Sequence, residues 1–197
     1  MVIPIKDLLY NLYYSDGFAS VRNTNFVDKS MLIEEVNSVM LTENRYMCPP
    51  FRKVRCRKNA QCLYDRFCES RSLFEGLEIS NQADFEKNLN RFPVLYLDMT
   101  DFVTKYGDNE HLIDRIKHDI CEELLSMYNN VAMNTNDDLM DLLINIVNQT
   151  GEKFVCLIDK WDALCREGYE ALMDEYVDFL RRLFKGSKTE YVFVCSF

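Results

Sequence analysis

Short unbroken apolar runs alternate in this chain with longer segments whose apolar residues recur every three or four positions. Phe154-Val-Cys-Leu-Ile158 is the clearest run and is closed by Asp159. Pro93-Val-Leu-Tyr-Leu-Asp98 is a second, and Tyr191-Val-Phe-Val-Cys195 a third. Runs of this kind suit strands buried on both faces. Glu110 to about Tyr128 carries Leu112, Ile113, Ile116, Ile120, Leu124 and Leu125 at helical spacing. Asp137 or Asp138 is placed to cap a further helix through Asn148, and Thr150-Gly151 ends it, because glycine suits the position just past a helix. Tyr169 to Lys185 is amphipathic with a helical period and is followed by Gly186. Strands alternating with long helices predict βαβ units: an α/β domain whose mostly parallel sheet is flanked by helices.

The first third is less regular. Residues 1–27 mix aromatic and polar positions and read as a short helix and a loop, a lead-in to the domain. Asp28 is placed to cap a helix from Lys29 to about Met40, with Leu32, Ile33, Val36 and Val39 as its stripe. A short strand fits Arg45–Cys48. Residues 49–63 show neither helical nor strand periodicity, and Phe51-Arg-Lys-Val-Arg-Cys-Arg-Lys58 concentrates five basic residues there.

Composition narrows the class. At 197 residues the chain is long enough for one domain with a proper core, so 1–197 is read as a single unit. A net charge of −9 argues against a general affinity for nucleic acid or anionic membranes. No signal peptide is evident, and no stretch approaches about 18 uninterrupted apolar residues. The expectation is a cytoplasmic protein without membrane contact, whose eight cysteines are reduced thiols, Cys156 and Cys195 among them within strands.

Ligands of open parallel sheets bind at the carboxyl ends of the strands. An apolar strand ending in Asp159 has the Walker B pattern, whose carboxylate would hold the magnesium of a nucleotide. A cap or turn residue explains the same aspartate equally well. The surroundings add a resemblance. Phe154-Val-Cys-Leu-Ile-Asp-Lys-Trp-Asp-Ala-Leu-Cys-Arg-Glu167 resembles the Walker B region of the bacterial AAA-ATPase-like family, which reads "FIIDEWDxxxRE". Asn25-Phe-Val-Asp-Lys-Ser30 is similar to its "YYVDKT", and Ser72-Leu-Phe-Glu-Gly-Leu-Glu-Ile79 to its "LFEGLEI". Pro93–Phe102 is similar to its second strand and Tyr176–Gly186 to its following helix, all in the family's order. The resemblance implies a P-loop NTPase-like fold and an ATPase ancestry, often joined to a nuclease-like C-terminal domain.

The departures matter as much. The family's Walker A segment reads like "ICVTRPRRFGKS". Its glycine lets the backbone approach phosphate, its lysine reaches the β/γ-phosphates and its serine binds magnesium. Met47-Cys48 matches the start, about four residues are then missing, and Phe51-Arg52-Lys53-Val54 stands in the place of "FGKS". Lys53 keeps the lysine register, Arg52 fills phosphate space and Val54 cannot ligate magnesium. After Asp159, Lys160 replaces the acidic residue that would activate water. The resemblance thus implies a degenerate pseudoenzyme with weak or no ATP binding and no hydrolysis. If ATP and magnesium bind, Lys53 meets the phosphates and Asp159 the metal, with Asp162 behind it; a working ATPase using Lys53 and Asp159 is the alternative. The family also continues past the last strand, so the chain reads as C-terminally truncated. Residues 49–63 suggest a hypothesis: one codon choice for Pro50–Ala60, read one base later, spells "RFGKSDAAKML", close to the family's phosphate loop and the helix after it. A compensating shift near Leu63 is implied. The gene's own codons test this, and the idea fails if no neighbouring frame encodes a phosphate loop.

Other residue groups in the chain carry weaker signals. Arg52, Lys53, Arg55, Arg57 and Lys58 could bind phosphate or nucleic acid, although the overall acidity favours a solvated loop and makes nucleic acid an improbable partner. Cys48, Cys56, Cys62 and Cys68 lack paired zinc spacing, so no zinc is expected. His111 and His118 read as surface residues. Asp98 and Asp101 either line the same cleft as Asp159 or cap a turn. Trp161 reads as a packing residue rather than a base contact. Other protein chains are the remaining partner class.

Overall fold

The computed structural model describes residues 18–20, 22–23, 27–40, 55–107, 110–131 and 137–196. Lys53, the strand expected at Arg45–Cys48 and most of the 1–27 lead-in lie outside them. The described chain forms α1 (Leu32–Val39), α2 (Arg55–Tyr64), β1 (Val94–Asp98), α3 (Met99–Tyr106), α4 (Leu112–Met127), α5 (Leu139–Thr150), β2 (Phe154–Asp159), α6 (Met173–Phe184) and β3 (Phe193–Ser196), with short helical turns between. The strands build a parallel sheet in the order β1-β2-β3. β1 and β2 pair in register from Val94↔Val155 to Asp98↔Asp159. This is the α/β architecture with a parallel sheet that the sequence predicts.

Alternation of side chains along a strand sends successive residues to opposite faces. Leu95, Leu97, Phe154, Cys156 and Ile158 face the crossover helices, where Ile113, Ile116 and Ile120 of α4, Leu142, Leu143 and Ile146 of α5, and Tyr176, Phe179 and Leu183 of α6 bury them. Val155, Leu157 and Val194 face the N-terminal layer, built from Ile33, Val36, Leu63, Tyr64, Phe74, Ile79 and Phe85. Every residue of β2 is buried. Both faces of the sheet are therefore covered along β2.

Local chemistry sets the helix ends. Asp138, not Asp137, caps α5: its side chain accepts from the Asp141 N–H while Asp141 answers to the Asp138 N–H. Gly151 ends the helix at φ +73°, a left-handed conformation that glycine adopts without a Cβ clash. Gly107, by contrast, is required by contact. A Cβ there would lie 2.2 Å from the Tyr169 hydroxyl and 2.6 Å from the Val103 carbonyl oxygen.

Four expectations need correction. Asp28 does not cap α1, which starts at Leu32 without a side-chain cap. Its carboxylate accepts from the N–H groups of Ser30 and Glu78, at 2.8 Å each, and Ser30 Oγ accepts from the Ile79 N–H at 3.2 Å. Two motifs some fifty residues apart in sequence are thereby docked. Burial opposes ionisation of Asp28, yet these N–H donors hold its carboxyl below the usual carboxylate range. Residues 55–63, read as aperiodic, lie in helix α2. Charge sits in its first turns, whereas Ala60 through Tyr64 are all buried, so polarity changes along the axis rather than across it and leaves no stripe. The helix expected over Tyr169–Lys185 divides into a 3-10 turn, Glu170–Leu172, and α6. The last strand starts at Phe193, because Thr189–Val192 make a helical turn first. Helix α3, capped by Asp98 directly after β1, adds to the elements that the sequence predicts.

Candidate functional site at the carboxyl ends of β1 and β2

The register of the two strands brings Asp98 and Asp159 side by side at the carboxyl end of the sheet. Both follow the alternation that points Tyr96 and Leu157 to the N-terminal layer. Asp159 is buried, and the Tyr96 hydroxyl donates to its Oδ2 at 3.0 Å. Tyr96 stands two residues before Asp98, so alternation puts it on the Asp98 face, and the register of β1 with β2 then brings it to Asp159.

Asp98 takes the capping role. It caps α3, with Oδ1 accepting from the Thr100 N–H at 2.9 Å, and the strand register sets it beside Asp159. It also carries an ion pair that spacing alone does not reveal. Lys160 Nζ lies 2.9 Å from Asp98 Oδ2 and 3.3 Å from Oδ1. The Asp98 carboxylate is only 11% exposed and the Lys160 side chain 39%. Lys160 reaches across because its backbone turns at φ +53° directly after the strand, a region that residues with a Cβ enter at some cost. Its carbonyl then accepts from the Ala163 N–H and opens the helical turn Ala163–Arg166.

The neighbouring candidates divide. Asp101 sits exposed on the first turn of α3; partial burial, then the nearby Asp98 charge, pushes its carboxyl up, and Lys160 works against that shift. Asp162 is exposed and pairs with Arg166 at 3.5 Å. Trp161 is half exposed instead of packed, and its carbonyl accepts from the buried Tyr176 hydroxyl at 2.8 Å. Burial, with Asp162 nearby, raises the Tyr176 phenol above its usual range. His111 and His118 lie on the surface beside Glu110 and Glu122. Cys62 and Cys68 are buried. Lys53 and the other residues of the 49–54 segment lie outside the described residues, as do the side chains of Arg55, Cys56, Arg57 and Lys58.

A magnesium ion at these strand ends would need carboxylate oxygens with lone pairs to give. Asp98 commits its oxygens to an ammonium and a helix N–H, and Asp159 accepts from a phenol. Among the described residues no three His, Cys, Asp or Glu side chains are grouped to hold a metal ion. A divalent ion at these strand ends would compete with Lys160 for Asp98. No helix of the described residues is long and apolar enough to cross a membrane.

Neither a curated protein nor a solved structure matches the chain. The profile of a family described as "Predicted AAA-ATPase" matches residues 16–195. That span takes in the parallel sheet, the strand ends with Asp98 and Asp159, and the N-terminal layer docked on them, and the chain belongs to this AAA-ATPase-like family.

Proposed function

We propose that the chain is a pseudo-ATPase: an AAA-ATPase-like domain with weak or no ATP binding and no hydrolysis. The observation that carries this reading is the Lys160–Asp98 ion pair. Hydrolysis needs a group beside the magnesium carboxylate that takes a proton from water or orients it. Lys160 follows Asp159 where the family places an acidic side chain. An ammonium bound to a carboxylate has no lone pair for that proton. The substitutions at Arg52 and Val54 support the same reading from the phosphate side. Contact with other protein chains is the role left to such a domain.

Isothermal calorimetry with ATP and magnesium, on the wild type and on Asp159→Ala, tests the proposal together with a phosphate-release assay. The expected result is no saturable heat from either protein and no phosphate released above the rate of the Asp159→Ala control. Saturable binding lost in Asp159→Ala, with phosphate release, would overturn it. The site would then work through Lys53 for the phosphates and Asp159 for the metal.

A further inference from the structure

We propose that the Lys160 ammonium takes the place of the divalent cation at the paired ends of β1 and β2, so that this end of the sheet rejects Mg2+ on its own account. The inference rests on the pseudo-ATPase reading and goes beyond it, because it names the residue that excludes the metal.

Three observations converge. First, the in-register pairing Asp98↔Asp159 brings two carboxylates together on one face of the sheet, a concentration of negative charge that calls for a cation. Second, the cation is supplied from within the chain. Lys160 Nζ contacts both oxygens of Asp98, at 2.9 and 3.3 Å, where Asp98 is largely shielded from water. A pair so placed is screened far less than a surface pair. Third, the backbone is bent to make this contact. Lys160 holds φ +53°, a conformation that glycine or asparagine would adopt more readily. Lys160 also acts on Asp101, whose carboxyl it pulls down against the push of burial and Asp98. One ammonium therefore binds Asp98 and is felt at Asp101.

The chemistry separates a tethered ammonium from a magnesium ion. Lysine presents hydrogen-bond donors and one charge, whereas Mg2+ presents two charges and demands near-octahedral oxygen ligands. A divalent ion entering here would have to displace Lys160 from Asp98 and face its repulsion.

Manganese is the probe, titrated into the full chain without nucleotide and followed by the loss of the free Mn2+ electron paramagnetic resonance signal. The wild type is expected to show no saturable site at millimolar Mn2+. Lys160→Met keeps the length of the side chain and removes its charge. It is expected to gain one saturable site, with affinity at least about tenfold above wild type for the loss of one nearby charge. Asp98→Asn added to Lys160→Met should abolish that site, and Lys160→Arg should behave as wild type. Lys160→Gly suits the left-handed backbone and serves as a second neutral variant if Lys160→Met folds poorly by circular dichroism. The proposal is overturned if wild type binds Mn2+ in a manner lost in Asp98→Asn, or if neither neutral variant binds more tightly than wild type. Because no nucleotide is present, either failure is distinct from a failure of the pseudo-ATPase reading, which the ATP titration decides.

Discussion

Asp65 lies fully buried where α2 meets the start of β1, at the opposite end of the sheet from Asp159. Its Oδ1 accepts from the Phe67 N–H at 2.9 Å, while among the described residues Oδ2 receives no N–H or O–H donor. Burial dominates its titration and pushes the carboxyl from its usual 3.8 up to about 6; the Phe67 N–H, the Cys68 thiol and the Arg66 guanidinium oppose that rise. The same burial and the Asp65 charge push the Cys68 thiol up to about 12, so it stays protonated at neutral pH. An acid whose pKa is raised by folding binds more protons folded than unfolded between the two values. Stability is then highest toward the unfolded value and falls as pH rises through the folded one. Full ionisation of Asp65 costs on the order of 2–3 kcal/mol. Asp65→Asn keeps the acceptor for Phe67 and removes the charge. Urea unfolding of both proteins should give nearly equal stabilities at about pH 4 and a variant more stable by about 2–3 kcal/mol above about pH 7. A gap that stays constant or narrows as pH rises would rule this account out.

At the scale of elements, legibility followed the direction in which polarity changes. β1, β2, α4 and α5 announce themselves because their burial is either continuous over a short run or repeated across a helix face. Asp138 and Gly151 mark the ends of α5 by chemistry that needs no tertiary partner. The failures share a cause: the deciding partner is distant in sequence. Asp28 looks like a cap because the helix is adjacent, but the Glu78 N–H fifty positions away competes for the same oxygens and α1 opens without it. The last turn of α2 is enclosed on all sides, with the Tyr64 hydroxyl donating to Asn37 Oδ1 at 2.9 Å, so no amphipathic signal survives. Near it, Asn90 turns at φ +53° and its amide donates to the carbonyls of Cys62 and Asp65, which ties α2 to the entry of β1. The site follows the same rule. Asp159 was legible as the polar end of an apolar run, but its Tyr96 partner and the Lys160–Asp98 pair depend on strand register, which becomes known only when the strands are paired. The signal that Lys160 did give was the loss of an acidic residue, a statement about what it is not.

The whole molecule is organised around β2, which contributes Phe154, Cys156 and Ile158 to one buried layer and Val155 and Leu157 to the other. At 197 residues the chain exceeds the size at which a single transition can be taken for granted, and two layers could in principle melt apart. The sharing of one fully buried strand argues against it. The N-terminal layer packs on Val155 and Leu157, and the crossover helices on their sequence neighbours, so loss of β2 strips both layers of their floor at once. Leu157→Ala on one face and Leu143→Ala on α5 at the other both remove nearly fully buried side chains. Each should lower stability by about 2–5 kcal/mol through lost transfer energy and the cavity left behind. Both variants should keep one transition, with far-ultraviolet circular dichroism and near-ultraviolet tyrosine signals moving together to the same lower urea midpoint. If Leu157→Ala instead splits the curve into two steps, with the helical signal of α4 to α6 retained through the first, the layers fold independently and β2 does not couple them.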